Sequence, residues 1–157
     1  MMREGVYEHY KCFGINRDTE LEWLRELQAA IIQSLNQTSN NKDKAKLFSE
    51  YGDVVAQMND VQGIHFMLEF IKNNAGSFDS HSILRNVSSI LNSIDFINNA
   101  KQKSTIVKET LSLLKNNLCN PIWVSNDYKE NGEMPDYLSK DRVLSNIKQK
   151  IKFMENL

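Results

Sequence analysis

Apolar residues recur at intervals of three or four along nearly the whole chain, and this spacing constrains the fold more than any other feature of the sequence. Such intervals place side chains on one face of an α-helix, whereas a half-buried strand alternates at every second residue. The first clear stripe consists of Leu21, Leu24, Leu27, Ile31 and Leu35. We therefore predict an all-α fold, either an irregular bundle or a short helical stack of six to seven helices.

Later segments repeat this spacing, and polar residues mark where their helices begin. The later stripes run through residues 47–58, 64–71, 83–97, 106–118 and 143–154. Thr19 and Glu22 form a capping box at the start of the first helix, and a second helix is expected to begin near Asp43. The second and third helices are expected to meet near residue 62, where Gly63 interrupts the pattern. The later helices have candidate N-caps at Ser80 or Ser82, at Ser104 and at Ser139.

The chain has 157 residues, enough to bury a hydrophobic core, and we predict a single all-α domain over residues 1–157. It contains only 2 prolines and 6 glycines, which suits long helices. Both prolines fall in residues 119–139, CNPIWVSNDYKENGEMPDYLS. A loop longer than about 12–15 residues in a compact domain is usually functional or disordered. This long irregular loop is therefore the strongest candidate for a binding surface.

Composition and charge exclude several classes of protein. The formal net charge of −1 lacks the positive excess that nucleic-acid binding requires. No apolar run approaches the ~20 residues of a membrane span. The N-terminal stretch MMREGVYEHYKCFGI has no apolar core of signal-peptide length, so no cleaved signal is expected. Cys12 and Cys119 show no metal-ligand spacing, and we expect both to be reduced in a cytoplasmic protein.

Three carboxylates, Glu26, Glu50 and Asp53, are the best candidates for metal ligands. Glu50 and Asp53 lie three residues apart on one predicted helix, and Glu26 lies on the preceding helix. Hard cations such as Mg²⁺ need several oxygen ligands, which facing helices supply when they carry paired carboxylates. The competing interpretation is that these acids form solvated helix faces, where charged pairs contribute little stability.

The strings ELEWLRELQAAI and LFSEYGDVVAQM resemble the metal-binding helix pair of the MazG-like all-α nucleotide pyrophosphohydrolases, whose pattern is ExxE, a spacer and ExxD. The resemblance covers residues 20–60 and implies Mg²⁺-dependent hydrolysis of nucleoside triphosphates, with Glu26, Glu50 and Asp53 matching three of the four carboxylates. The fourth position is Trp23, which cannot coordinate a cation, and Glu22 points about 100° away around the helix. The metal site that the resemblance implies is incomplete in this sequence.

Other catalytic signatures are absent from the sequence. It contains no GxSxG, GxxxxGK[ST], HExxH or GxGxxG motif, the usual marks of a nucleophile elbow, a phosphate loop, a zinc protease or a dinucleotide site. Cys119 has no local signature of a catalytic nucleophile. We therefore expect a protein that is not an enzyme and that needs no cofactor.

Residues 119–139, hereafter the acidic loop, combine aromatic rings with negative charge. The loop carries four acids against the single base Lys129, a formal charge of −3. Aromatic side chains anchor protein contacts, and a concentrated negative field speeds the encounter with a basic partner. In the competing interpretation, Trp123 and Tyr137 pack into the core and the acids are merely solvated. The predicted partner-binding residues are Trp123, Asp127, Tyr128, Glu130, Glu133 and Asp136.

These features together predict a small cytoplasmic protein that binds a protein partner with a basic surface. The leading expectation is an immunity or inhibitor protein of the bacterial type, which neutralises a toxin by stoichiometric binding. The enzymatic alternative is the Mg²⁺-dependent pyrophosphohydrolase, with Glu26, Glu50 and Asp53 as metal ligands. A secretion chaperone or an adaptor is a third alternative with the same sequence features.

Overall fold

A computed structural model describes residues 16–157 of the chain. This part contains six α-helices, two 3-10 helices and no β-strand, which confirms the predicted all-α class. The six α-helices are α1 (Arg17–Gln37), α2 (Asn41–Met58), α3 (Val61–Asn73), α4 (Ser80–Ser93), α5 (Ala100–Leu118) and α6 (Lys140–Glu155). Cys12 and the N-terminal stretch for which we predicted no cleaved signal lie outside the described residues.

Helices α2 and α4 form the centre of the bundle. Their mutual contact is the most extensive between any two elements, and α1, α3 and the first 3-10 helix (Asn126–Tyr128) also pack on α2. Helix α4 additionally contacts α3, α5 and α6, and the second 3-10 helix (Asp136–Leu138) packs on α6. The predicted apolar stripes supply much of the core, because residues such as Val55, Ile64 and Val87 are fully buried. The irregular bundle thus results from amphipathic helices that bury one face each.

Helices α2 and α4 run in the same direction and approach each other closely. Their first residues, Asn41 and Ser80, both contact the acidic loop. Further along both helices, a Cβ added at Gly52 of α2 would lie 2.6 Å from Ser93 Oγ of α4 and 3.5 Å from the backbone oxygen of Ser89. Only a residue without a side chain fits at this point. The start of each helix therefore lies at the same end of the bundle, beneath the loop.

The predicted N-caps of α1 and α5 are wrong, and the predicted N-cap of α6 is confirmed. Asn16, and not Thr19, caps α1, because its side chain accepts a hydrogen bond from the Thr19 backbone N–H. Asn99 caps α5 in the same way, so that Ser104 lies inside the helix. Ser139 caps α6 as predicted. Asparagine equals serine as an N-cap because its side-chain oxygen reaches the same free N–H groups.

Two further boundaries were predicted only approximately. The break between α2 and α3 falls at Asn59, whose φ of 54° is left-handed, and Gly63 lies inside α3. Asparagine tolerates this conformation, which commonly ends a helix. Helix α4 begins after Asp79, which holds the N-cap position predicted for Ser80 or Ser82, and it ends at Ser93. Ile94 and Ile97 therefore lie beyond the helix, although both side chains remain in the core.

Candidate functional site

The acidic loop begins with a backbone attachment to the first turn of α4. The Ser80 N–H donates to the Trp123 carbonyl oxygen at 2.9 Å. The Trp123 N–H in turn donates to Ser80 Oγ at 3.2 Å. Ser80 is 1% exposed, so this reciprocal pair is shielded from water. It fixes the backbone at Trp123, although the residue as a whole remains 42% exposed.

A second attachment joins the loop to the start of α2. The backbone N–H of Asn41 donates to Asp127 Oδ2 at 2.7 Å. The first N–H groups of a helix lack intrahelical partners and carry a partial positive charge, which a carboxylate at this point satisfies. Asp127 is only partly exposed. The structure therefore uses one of the predicted partner-binding acids to hold the loop on the bundle.

Tyr128 makes the third attachment and corrects its assignment as a surface anchor. Its side chain is 4% exposed, and its hydroxyl lies 2.7 Å from Ser82 Oγ. Its ring packs edge-on against His81, with 5.0 Å between the ring centroids. Burial raises the pKa of Tyr128, an effect that the hydrogen bond to Ser82 partly offsets. The phenol is thus a neutral core group and presents no ring to a partner.

Beyond Tyr128 the loop forms a minimal hairpin that displays two glutamates. Glu130 and Glu133 exchange backbone N–H···O hydrogen bonds of 2.8 and 3.0 Å. The two residues between them, Asn131 and Gly132, have φ angles of 52° and 80°. Positive φ at both positions is typical of a type I′ turn, for which Asn-Gly is the commonest sequence. This dipeptide is the sequence signal that could have predicted a rigid turn within the loop.

The end of the loop exposes one more acid and one more aromatic ring. Asp136 is exposed, and Tyr137 is 55% exposed. Both belong to the second 3-10 helix, where the neighbouring Leu138 is 2% exposed and packs the turn onto the bundle. Tyr137 is therefore available at the surface, although sequence reasoning left it out of the predicted binding residues.

The six predicted partner-binding residues thus separate into two groups. Asp127 and Tyr128 are committed to holding the loop against α2 and α4. The exposed group consists of Trp123, Glu130, Glu133 and Asp136, to which the structure adds Tyr137. Three of these five side chains are negatively charged. The exposed group, hereafter the acidic surface, is the candidate site for a contact with another molecule.

The carboxylates of the alternative metal site occupy the outer faces of α1 and α2. Glu26 and Asp53 are exposed, and Glu50 is partly exposed. Within residues 16–157 no three or more His, Cys, Asp or Glu side chains form a group that could hold a metal ion. Trp23, which replaces the fourth carboxylate, is partly buried on α1. The described chain therefore does not assemble the ligand set that the resemblance implies.

Several polar side-chain atoms of α4 and of the residue that precedes it are buried, a feature that the sequence did not predict. Asp79 is 0% exposed, and neither carboxylate oxygen has a hydrogen-bond partner among the described residues. The same holds for His81 Nδ1 and for both amide atoms of Asn86, which is also 0% exposed. Such groups are rare in folded proteins because a buried polar atom without a partner costs about 1–3 kcal/mol.

Comparisons with known proteins identify no relative of this chain. No protein-family model matches the chain, and neither does any curated protein or any solved structure. Across residues 16–157, no helix combines the length and the apolar character needed to cross a membrane.

Proposed function

We propose that the protein acts by stoichiometric contact with a protein partner that has a basic surface, and that the acidic surface makes this contact. The observation that carries the proposal is the Glu130–Glu133 hairpin. Its two carboxylates flank a turn that is closed by two backbone hydrogen bonds, so they project from a fixed backbone. A fixed site loses less conformational entropy on binding than a mobile one.

The exposed rings supply the second component of the contact. Trp123 and Tyr137 are 42% and 55% exposed, and each belongs to a backbone segment that is fastened to the bundle. Tryptophan and tyrosine contribute disproportionately to binding energy because they bury a large area with few rotatable bonds. Acidic residues around such rings favour a basic partner and disfavour an acidic one.

Within this class, we propose an immunity or inhibitor protein that occludes a toxin in the cytoplasm. The support is the combination of a small helical scaffold with a concentrated acidic surface. Cys119 is exposed and free, which suits a reducing compartment. A secretion chaperone or an adaptor would use the same surface, and the identity of the bound partner distinguishes these three roles.

The proposal is tested by affinity capture with the full chain and a charge-neutral loop variant. The loop variant carries Glu130→Gln, Glu133→Gln and Asp136→Asn. The matched control removes three negative charges from exposed positions of α1, by Asp18→Asn, Glu22→Gln and Glu26→Gln. Each protein is immobilised and incubated with native lysate, and the bound proteins are quantified.

We expect the original chain and the α1 control to retain the same partner in a one-to-one complex, and the loop variant to lose most of it. Equal retention by all three proteins would exclude the acidic surface from the contact. Loss of the partner in the α1 control alone would show that α1, and not the acidic surface, makes the contact.

A further inference from the structure

His81, in the first turn of α4, contacts the acidic loop through its ring. Its ring packs edge-on against Tyr128, the residue that anchors the loop, at 5.0 Å between centroids. Its Nδ1 atom is buried without a hydrogen-bond partner among residues 16–157. His81 as a whole is partly exposed, but a proton added at the buried Nδ1 would find no hydrogen-bond acceptor while the loop is attached.

The charged groups that act on His81 come from α4 and from the residue that precedes it. Among the described residues these are Asp79, which favours a protonated imidazole, and Arg85, which disfavours it. From the loop, the group that faces His81 is the neutral phenol of Tyr128. Burial is the largest influence and lowers the pKa of His81 below its usual range. The loop in its attached position therefore favours the uncharged imidazole.

We propose that mild acid releases the acidic loop from the starts of α2 and α4, with His81 as the group whose protonation favours release. Release would bring water to Nδ1 of the imidazole and also to the unpartnered oxygens of Asp79. The proposal rests on the proposed function for its consequence, which is that a partner held by the loop would be bound less tightly in acid. The release itself is a property of the free chain.

The direction follows from proton linkage. In the released state His81 is hydrated and has an ordinary pKa of about 6.5. Below this pH His81 binds more protons in the released state than in the attached state, so its protonation shifts the equilibrium towards release. Between about pH 7 and about pH 5.5 the released population should rise by up to about eightfold.

Hydrogen exchange of the free, full-length chain tests the proposal without any partner. The informative amides are those of Asn41, Ser80 and Trp123, whose N–H groups donate across the attachments. Their protection factors, corrected for the direct effect of pH on exchange, should fall several-fold between about pH 7 and about pH 5.5. The amide of Leu114 in the core of α5 serves as the reference for global unfolding and should not follow them.

Two histidine variants provide the matched comparison. His81→Gln removes the titrating group and should abolish the loss of protection, whereas His65→Gln changes an exposed histidine of α3 and should preserve it. An NMR titration of wild-type His81 should give a midpoint below about 6.5, with loop protection lost as the imidazole becomes protonated. This measurement replaces the variant if His81→Gln does not fold.

Three results would overturn the inference: equal loss of protection in His81→Gln and wild type, no loss in wild type, or a His81 midpoint at or above about 6.5. Because no partner is present, each of these results leaves the capture experiment unaffected. Conversely, acid-dependent release in a chain that captures no partner would reject the proposed function alone.

Discussion

The hydroxyl of Tyr128 lies 2.7 Å from Ser82 Oγ, across 46 residues of sequence, and both groups are buried. This contact makes an aromatic residue of the acidic loop part of the core of the bundle. This contact and the hydrogen bond of the Asp127 carboxylate at the start of α2 hold the loop on the bundle. Other residues of the loop remain exposed. The displayed acids Glu130, Glu133 and Asp136 follow this anchor in sequence.

Tyr128→Phe should lower the free energy of unfolding by about 1–2 kcal/mol, because Ser82 Oγ then remains buried without its partner. Urea denaturation of Tyr128→Phe, Ser82→Ala and the double variant measures the coupling between the two hydroxyls. We expect the sum of the two single destabilisations to exceed the destabilisation of the double variant by about 1 kcal/mol. Strictly additive effects would mean that the hydroxyls do not interact.

Gly52→Ala should destabilise the protein by about 1–2 kcal/mol, although alanine favours helices, because the added methyl group overpacks the α2–α4 contact. Its Cβ would lie 2.6 Å from Ser93 Oγ and 3.1 Å from Met67 Cε. Gly76→Ala is the matched control, since no atom lies within 4 Å of its added Cβ. The control should be neutral or stabilising by up to about 1 kcal/mol in urea denaturation. Equal stabilisation by both substitutions would contradict the close approach of the helices.

The stability of the protein should fall in alkali through Tyr51. Burial, reinforced by the charge of Asp60 and opposed by a hydrogen bond from Gln28, raises the pKa of Tyr51 to about 12. The unfolded chain loses this proton near pH 10 and the folded chain near pH 12, so the stabilising effect of the neutral phenol is lost across that window. The loss amounts to roughly 2–3 kcal/mol.

Urea denaturation of wild type and Tyr51→Phe at about pH 9 and about pH 11.5 measures this effect. The wild type should lose more stability than the variant between the two conditions. Parallel losses, or a phenolate absorbance that titrates completely near pH 10, would show that Tyr51 is exposed to water.

Helical periodicity predicted the fold class because the spacing of apolar residues within each helix indicates which face of that helix is buried. It predicted helix starts less well, since Asn16 and Asn99 act as caps where Thr19 and Ser104 were expected. In a chain rich in asparagine, several residues near each start satisfy the same free N–H groups. The local sequence therefore does not select one of them.

The candidate site was only partly predictable for a different reason. The loop has no periodicity that distinguishes inward from outward side chains, so the burial of Tyr128 depended on its distant partner Ser82. The role of Asp127 likewise depended on Asn41, which lies 86 residues away. By contrast, Asn131 and Gly132 encode their turn locally, and the exposure of the flanking glutamates follows from it.

If the protein acts by contact alone, as proposed, the purified chain should release no pyrophosphate from nucleoside triphosphates in the presence of Mg²⁺ or Mn²⁺. The physical reason is that the described residues assemble no group of three ligands around Glu26, Glu50 and Asp53. A panel of nucleotides assayed for pyrophosphate measures this directly. Turnover that disappears in Asp53→Asn would support the enzymatic alternative.

The most direct test of contact through the acidic surface is the affinity of the captured partner at two ionic strengths. At about 0.01 M salt charges interact over about 30 Å, and at about 1 M over about 3 Å. If the acidic surface makes the contact, the wild type should bind at least about tenfold more tightly than the Glu130, Glu133 and Asp136 variant at low salt, and high salt should largely remove this difference. Equal affinities of the two proteins at low salt would contradict it.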